Sequence, residues 1–221
     1  MTAGPAAPLS GGKAAFWDNK IASWEASRYS LLSRCNPFSW TVLRRMGAAR
    51  RLVREDFQHH QFVLDLGCGS GSLAQALLND PSRSYLGIDF SRTAVEAARR
   101  RFRGHAERIR FEQLNVLEAP SLEAPLIVFL GLLDWLDESE MGLLFRKLKA
   151  ENLCFSFTES ESGLGGLLYG RYRRRADKAY GARNFKRAQI EAAAEAGGYR
   201  IGRMTRFSPL DPGRLATAYK I

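Results

Sequence analysis

One short segment constrains the fold of this chain more than any other. The run Val63-Leu-Asp-Leu-Gly-Cys-Gly-Ser-Gly-Ser-Leu73 begins as an apolar strand, passes through three alternate glycines and continues into a predicted helix at about 72–78. Glycine adopts backbone angles that other residues avoid and lets a ligand approach the main chain. The start of the following helix offers unpaired N–H groups and a positive dipole end. The segment therefore predicts a ligand-binding turn between a strand and a helix.

Short apolar runs alternate with amphipathic stretches from residue 62 onward, which is typical of a parallel sheet covered by helices. Strands are predicted at 62–66, 84–88, 109–113, 126–130 and 153–157, and further helices at about 93–102, 138–149 and 185–195. The last two runs, 199–207 and 215–221, are too close together for a crossover helix and predict a hairpin. The expected fold class is α/β: a single doubly wound, mostly parallel seven-stranded sheet with an antiparallel C-terminal strand pair, plus N-terminal helices.

Composition divides the chain into parts. Residues 1–12 are small and rich in proline and glycine, without the charged start of a signal peptide, so a disordered leader is expected. Residues 13–58 carry apolar side chains at helical spacing and predict a helical lid region. Residues 59–221 are expected to form the sheet domain, interrupted at about 163–183 by an insertion rich in tyrosine and arginine.

Hydropathy and cysteine usage indicate the setting of the protein. No run approaches the ~18 uninterrupted apolar residues of a membrane-spanning helix, so no transmembrane segment is predicted. The three cysteines lack metal-ligand spacing, and their sparse, odd number argues against a disulfide framework. We therefore expect a cytoplasmic protein without a bound metal.

The net charge of +10 leaves two interpretations open. Arginines cluster between residues 44 and 54, between 99 and 103, and between 171 and 187. Such clusters attract nucleic acid, an anionic membrane surface or an acidic substrate. Solvated faces of helices account for them equally well.

Two acids accompany the glycines. A dinucleotide-binding loop would read G-x-G-x-x-G, whereas Ser72 stands here in place of the third glycine. Asp65 precedes the loop, where a carboxylate would repel a pyrophosphate but could receive the amino group of a methionine. Asp89 ends the second predicted strand and is placed to bond ribose hydroxyls. The pair of acids favours a nucleoside linked to an amino acid over a dinucleotide.

The two segments together resemble a known family. Asp65-x-Gly67-x-Gly69-x-Gly71 is similar to motif I of the class I S-adenosylmethionine-dependent methyltransferases, and Gly87-Ile-Asp89-Phe90-Ser91 is similar to their second motif. The resemblance covers about residues 60–160. It implies a Rossmann-like domain that binds S-adenosyl-L-methionine and releases S-adenosyl-L-homocysteine. The cofactor-binding residues that it implies are Asp65, Gly67, Cys68, Gly69, Gly71, Asp89, Phe90, Asn115, Val116, Gly131 and Leu132.

The resemblance also implies what these residues do. Asp89 would hold the ribose and Phe90 would pack on the adenine. The pair Asn115 and Val116 would read the edge of the adenine, and the pair Gly131 and Leu132 would contact the methionine portion.

The rule that ligands bind outside the carboxyl ends of parallel strands sorts the candidate catalytic residues. His59 and His60 precede the first strand and His105 precedes the third, so all three are expected at the opposite edge. Asp134 follows the fourth strand and is the predicted polar group beside the methyl acceptor, although it could equally cap the next helix. Methyl transfer also proceeds without a dedicated base when the acceptor is already nucleophilic, because alignment and desolvation then carry the rate.

Aromatic residues outside the motifs are candidates for binding the acceptor. Trp17 and Tyr29 lie in the N-terminal region, and Tyr169 and Tyr172 lie among the arginines of the insertion. Aromatic rings beside arginines suit a planar or anionic molecule. The layout, with an aromatic N-terminal helical region, the segment Leu-Leu-Asp134-Trp135 after the fourth strand and the Tyr/Arg-rich insertion after the fifth, also resembles small-molecule O-methyltransferases. This resemblance implies methylation of a small molecule, at oxygen more than at nitrogen.

Two other functions remain alternatives. The positive charge suggests an RNA or DNA methyltransferase, but the chain lacks the Asn/Asp-Pro-Pro-aromatic motif of enzymes that methylate base amines. Nucleic acid is thus a possible but not a favoured partner. A non-catalytic protein that keeps the fold, or an NAD-dependent enzyme, is the third interpretation, and the retention of both Asp65 and Asp89 argues against it.

Overall fold

The computed structural model describes residues 37–160, 183–206 and 212–221, and side chains from residue 43 onward. The predicted leader, the first part of the helical region and nearly all of the insertion lie outside the described residues. Trp17, Tyr29, Tyr169 and Tyr172 lie there too. The boundaries expected between leader, lid region and sheet domain therefore stay a prediction.

The described chain alternates strands and helices. The strands are β1 (Phe62–Leu66), β2 (Ser84–Asp89), β3 (Ile109–Gln113), β4 (Leu122–Glu123), β5 (Leu126–Phe129), β6 (Leu148–Lys149), β7 (Asn152–Thr158), β8 (Tyr199–Arg206) and β9 (Gly213–Lys220). The helices are α1 (Pro37–Arg54), α2 (Arg92–Arg101), α3 (Glu138–Lys147) and α4 (Arg187–Ala196). Short 3-10 helices lie at Leu73–Leu77, Arg103–His105 and Leu133–Trp135.

Seven strands form one sheet in the order β3-β2-β1-β5-β7-β9-β8. All neighbouring pairs are parallel except those of β9, which is antiparallel to both β7 and β8. The predicted α/β sheet and its C-terminal hairpin are thereby confirmed. The pairing of β4 with β6 forms a separate ladder two residues long, too short to produce a periodic signal in the sequence.

The strand order reverses beside β1, and this reversal determines where a ligand can bind. The chain moves outward from β1 through β2 to β3, and then returns to place β5 on the other side of β1. At such a switch point the connections after neighbouring strands part and leave a crevice at their carboxyl ends. The glycine loop follows β1 directly into this crevice.

The sheet is covered on both faces. Every residue of β5 is buried, and successive side chains alternate between two apolar layers. Leu126 and Val128 pack with one cluster, whereas Ile127 and Phe129 pack with the other. The rings of Phe129 and Phe155 stack with centroids 4.9 Å apart. Burial on both faces explains why the strand reads as a continuous apolar run.

The segment after the glycine loop differs from the prediction. An α-helix was expected at about 72–78, but the structure has a 3-10 helix of five residues whose first cap, Ser72, makes no side-chain capping bond. Pro81 follows closely, and proline together with its predecessor disfavours continuation of a helix. Only one short helical turn therefore contributes a dipole at the loop, instead of the longer helix that was expected.

Two predicted helix starts are confirmed by their capping bonds. The Ser91 hydroxyl accepts a hydrogen bond from the Ala94 N–H at 3.2 Å at the start of α2. At the start of α3 the Asp137 carboxylate accepts from the Glu140 N–H at 2.8 Å, and the Glu140 carboxylate accepts from the Asp137 N–H at 2.9 Å. This reciprocal capping box satisfies main-chain donors that a helix start otherwise leaves unpaired.

A buried arginine joins α1 to the amino edge of the sheet. The Arg83 guanidinium donates to the carbonyls of Val53 at 2.8 Å, Phe57 at 3.1 Å and His60 at 2.8 Å. These carbonyls belong to the end of α1 and to the connection leading into β1, which lack helical partners. Arg83 therefore holds the connection from α1 to β1 against the sheet. Within the described residues no helix is long and apolar enough to cross a membrane.

Candidate functional site

The three glycines after β1 all have left-handed backbone angles, with φ of 71° at Gly67, 53° at Gly69 and 77° at Gly71. Such angles strain any residue that carries a Cβ. A Cβ on Gly69 would meet no atom of the described chain within 4 Å, whereas one on Gly71 would lie 2.8 Å from the ring of Phe111 and 2.9 Å from that of Phe102. Gly69 thus leaves open space for a ligand, and Gly71 packs against the aromatic residues beneath.

Asp89 connects the glycine loop to the end of β2. One carboxylate oxygen accepts a hydrogen bond from the Gly69 N–H at 2.9 Å, and the other accepts from the Ser91 N–H at 2.9 Å. The side chain is buried. Asp89 therefore ties the loop to the end of β2 at the place where the resemblance expects the ribose-binding acid, and its contact with the ribose stays a prediction.

Asp65 lies on β1 with one oxygen bound and the other available. The Tyr85 hydroxyl donates to Oδ2 at 2.6 Å, and among the described residues Oδ1 has no hydrogen-bond partner. The pKa of this carboxyl is raised to about 7, mainly by burial; the hydrogen bond from Tyr85 lowers it, and the nearby negative charge of Asp89 adds to the rise. Oδ1 is therefore the open acceptor of a largely buried carboxyl whose charge changes near neutral pH.

The crevice fits a cofactor that carries ribose hydroxyls and an ammonium group. The buried Ser70 hydroxyl has no partner within the described chain. Gly131, after β5, has φ of 74°, and a Cβ there would meet no described atom within 4 Å. The loops after β1 and β5 therefore both leave open space, and Asp65 and Asp89 are the predicted acceptors there. No group of three metal-ligating side chains is found among the described residues.

The predicted adenine wall contains an additional aromatic residue. Phe90, directly after Asp89, packs against Ala94 of α2, and Trp135 packs on the same alanine. Two partly buried rings therefore pack at the start of α2, shortly after the end of β2 that carries Asp89. The second motif implied only Phe90 as the ring on the adenine; Trp135 was expected at this edge of the sheet, and the turn after β5 brings it onto Ala94. A bulky aromatic residue shortly after the fourth strand of the sheet was the available sequence signal.

Asn115 and Val116 follow β3 at the expected edge. The Asn115 amide donates to the Glu118 carboxylate at 3.0 Å, and its oxygen accepts from the Leu117 N–H at 3.1 Å. Val116 is buried. Because the Asn115 side chain already holds its own turn, its contact with the adenine stays a prediction.

Leu132 and Cys68 pack the loop from its two sides. The Leu132 side chain lies 3.5 Å from the place that a Cβ on Gly67 would take, so the loops after β1 and β5 touch. The Cys68 sulfur would be 2.8 Å from a Cβ on Gly87. Burial raises the pKa of the Cys68 thiol well above its ordinary value, so the thiol stays neutral and serves packing.

Asp134 is bonded to the end of β7. Its Oδ1 accepts from the Thr158 N–H at 2.7 Å and its Oδ2 accepts from the Thr158 hydroxyl at 3.0 Å. Its carbonyl accepts from the Arg183 N–H at 2.6 Å, where the chain returns from the insertion. The cap of α3 is Asp137 instead. Asp134 thus lies at the predicted edge, where its side chain fixes the turn after β5 to the end of β7. Its contact with an acceptor stays a prediction.

An ion pair between two residues outside the sequence motifs lies at the same edge. The guanidinium of Arg214 is 2.5 Å from the carboxylate of Glu159, and both side chains are largely buried. Arg214 opposes Phe157 because β9 runs antiparallel to β7. The start of β9 therefore reaches the carboxyl edge of the sheet. The predicted hairpin implied this position: its first strand runs towards the carboxyl edge of the sheet, so its second strand has to begin at that edge.

The histidines lie at the opposite edge, as predicted. His60 precedes β1, and its imidazole is 3.0 Å from the amide nitrogen of Asn152, the first residue of β7. Burial and the neighbouring His59 lower the pKa of His60. His105 lies in the 3-10 helix before β3. The three histidines therefore lie away from the crevice, and none of them is placed to act there as a general base.

A known protein family matches the central part of the chain. Residues 63–150 match a family model described as a methyltransferase domain. None of the curated proteins compared with the chain matches its sequence. The family match covers β1 through the end of α3, and so includes the glycine loop and Asp89.

Solved structures share the fold at low sequence identity. Magnesium protoporphyrin IX methyltransferase from Synechocystis PCC 6803 with bound S-adenosylhomocysteine superposes with a TM-score of 0.74 and 16% identity, over 95% of this chain and 98% of the other. Mitomycin 7-O-methyltransferase MmcR gives 0.65 and 16%, over 97% and 69%. The pyocyanin biosynthetic protein PhzM gives 0.65 and 18%, over 91% and 62%.

Proposed function

We propose that this chain is a class I S-adenosylmethionine-dependent methyltransferase and that it methylates a small molecule, at oxygen rather than nitrogen. The observation that carries the proposal is that two acids at the carboxyl edge of the sheet already have bonding partners within the protein. Asp134 is bonded to Thr158 and Glu159 is paired with Arg214, so neither is a free base. An oxygen that is already nucleophilic, such as a phenolate or carboxylate, needs alignment instead of deprotonation.

Each part of the crevice contributes to that alignment. When bound, the cofactor would supply an electrophilic methyl group on its sulfonium sulfur, for transfer to the acceptor oxygen. Asp89 orients the ribose, and Asp65 receives the ammonium group. Gly69 and Gly131 allow close approach of the main chain. Asp134 acts as a positioning residue that holds the turn after β5 against Thr158.

The structural relatives support a small planar acceptor. One is named for a protoporphyrin and another for mitomycin. In this chain the N–H of Arg183, the last residue of the aromatic and arginine-rich insertion, donates to the Asp134 carbonyl at the same edge. We propose that Trp17, Tyr29, Tyr169 and Tyr172 contact the acceptor.

The positive charge gives less support to a nucleic-acid substrate. Arg99 donates twice to the carbonyl of Phe111, at 3.0 and 2.8 Å. Arg108 donates to the carbonyls of Leu77 and Leu78, each at 2.8 Å. Several arginines thus hold the main chain instead of presenting a bare cationic surface. Strong, salt-dependent binding of generic RNA would restore the alternative.

A transfer assay identifies the acceptor class. The protein is incubated with S-adenosylmethionine labelled in its methyl group and separately with phenols, carboxylic acids, amines and RNA. Label is expected in an oxygen-methylated small molecule. Mild alkali releases it from a methyl ester but not from an ether or an amine. Label recovered in RNA or in an N-methyl product would contradict the proposal.

We also propose a cytoplasmic location. Cys68 and Cys154 are free and buried among the described residues. Burial raises the pKa of Cys154 to about 12, so neither thiol is reactive. Free thiols in this setting suit a reducing compartment.

Asp89 is expected to contribute strongly to cofactor affinity. Asp89→Ala should weaken binding of S-adenosylhomocysteine by about 1–3 kcal/mol, because a buried charged hydrogen-bond acceptor is lost. Isothermal calorimetry measures the effect, and thermal unfolding shows how much of the variant stays folded. Glu55→Ala, which removes an exposed acid after α1, is the matched control and should bind normally. Unchanged affinity in Asp89→Ala would show that the motif is misassigned.

The histidines are expected to be dispensable for chemistry. His59→Ala and His60→Ala should leave both turnover and S-adenosylhomocysteine affinity within about twofold of wild type, since these side chains lie at the amino edge of the sheet. His60→Ala should lower the melting temperature, because it empties a buried site. A large fall in turnover of the folded protein would contradict the assignment of the edges.

A further inference from the structure

Tyr85 is a buried polar residue that the motifs do not include. It lies on β2, is 1% exposed, and points its hydroxyl at Oδ2 of Asp65 over 2.6 Å. Asp65 pairs in register with Gly87, so the tyrosine reaches the acid from two residues earlier on the neighbouring strand. A buried hydroxyl needs a hydrogen-bond partner, and among the described residues Asp65 is the one this hydroxyl has.

The packing that holds Tyr85 also supports the glycine loop. The Tyr85 ring lies with its centroid 5.6 Å from that of Phe111. Phe111 in turn is the ring that a Cβ on Gly71 or on Gly87 would approach to within 2.8 and 2.7 Å. The tyrosine hydroxyl is therefore held in place by the same aromatic floor on which the loop rests.

The groups around Asp65 explain why this hydroxyl matters. Asp89, from the end of β2, is negative and disfavours a second charge. The thiols of Cys68 in the loop and Cys154 on β7 also interact with Asp65, and both have a raised pKa and stay neutral. Tyr85 is the neighbour that favours the ionised carboxylate.

We propose that Tyr85 is a positioning residue for the cofactor: its hydroxyl holds Asp65 ionised through Oδ2 and leaves Oδ1 to accept the cofactor's ammonium group. This inference rests on the proposed role of Asp65 in binding that group. An ammonium ion favours the ionised partner, so binding displaces the proton from Asp65. Affinity should therefore rise as the pH rises through the pKa of Asp65, about 7.

The test measures S-adenosylhomocysteine affinity by calorimetry at intervals from pH 6 to pH 9. Tyr85→Phe removes the donor and keeps the ring. Losing a charged hydrogen bond should move the Asp65 pKa up by about one unit. Affinity should then fall about fivefold at pH 7 and return to the wild-type value at pH 9. Comparison at equal pH cancels the titration of the ligand itself.

Two further variants keep the result interpretable. Tyr199→Phe is the matched control, because Tyr199 is also 1% exposed and its hydroxyl accepts from the Ala150 N–H at 2.8 Å outside the crevice; its profile should match wild type. Asp65→Asn should bind weakly at every pH.

Three outcomes would overturn the inference. A Tyr85→Phe profile identical to wild type shows that the hydroxyl is unimportant. An equal fall at every pH shows a structural role only. Normal binding by Asp65→Asn would show that Asp65 does not contact the cofactor. The proposed methyltransferase function would still stand in that case, provided that the wild-type protein binds S-adenosylhomocysteine.

Discussion

Asp65→Asn is expected to raise the free energy of unfolding at pH 8 by up to about 4 kcal/mol while it weakens cofactor binding. Folding buries this carboxyl and moves its pKa from 3.8 to about 7. Each pKa unit corresponds to about 1.4 kcal/mol, so an ionised Asp65 opposes folding. Asparagine keeps an oxygen that can accept from Tyr85 but carries no charge to bury.

The sign of the pH dependence distinguishes this effect from a general change in packing. Between pH 4 and pH 7 the folded protein retains a proton on Asp65 that the unfolded chain has lost, so wild-type stability falls as the pH rises through this range. The advantage of Asp65→Asn should therefore be largest at pH 8 and shrink towards zero near pH 4. Urea unfolding at pH 5 and pH 8 measures it.

A matched acid tests whether burial is the cause. Asp80→Asn alters a carboxyl in an exposed turn, where a hydrogen bond from Ser82 lowers the pKa. It should leave the difference in stability between pH 5 and pH 8 close to that of wild type. An equal gain for Asp65→Asn at both pH values would contradict the buried-charge explanation.

Gly71→Ala is expected to destabilise the fold by about 2–5 kcal/mol and to abolish cofactor binding. Two costs combine. The φ of 77° strains a residue with a Cβ, and the new methyl group would lie 2.8 Å from the buried ring of Phe111. The ring cannot move away freely, because Tyr85 and Phe102 pack against it.

Gly104→Ala is the control for this second prediction. A Cβ there meets no described atom within 4 Å, and the backbone angle is not left-handed. Its melting temperature should therefore stay within a few degrees of wild type. Chemical denaturation of both variants, together with calorimetry on whatever stays folded, measures the difference. A Gly71→Ala protein as stable as Gly104→Ala would show that the loop can rearrange around a side chain.

Local patterns predicted most of the secondary structure. The five parallel strands before the hairpin begin and end within one residue of their predicted positions. The central strand β5 is buried on both faces and leaves an uninterrupted apolar run, whereas the edge strand β3 alternates buried and exposed residues. The starts of α2 and α3 lie within one residue of the predicted starts at 93 and 138, because Ser91 and Asp137 are short-range caps that satisfy the first main-chain donors. The 3-10 helix at Leu73–Leu77 was not predicted, since its length depends on packing beneath the loop and on Pro81 beyond it.

The glycine loop and its acids were readable from the chain because their requirements are local: left-handed angles at Gly67, Gly69 and Gly71, and an acid at each strand end. They determined the cofactor class. The partners of Asp65 and of Glu159 were decided only by tertiary structure. Tyr85 reaches Asp65 through the parallel register of β1 and β2, and Arg214 reaches Glu159 through the antiparallel register of β7 and β9. Strand register depends on the packing of the whole core, so no local run of residues specifies which buried charges meet.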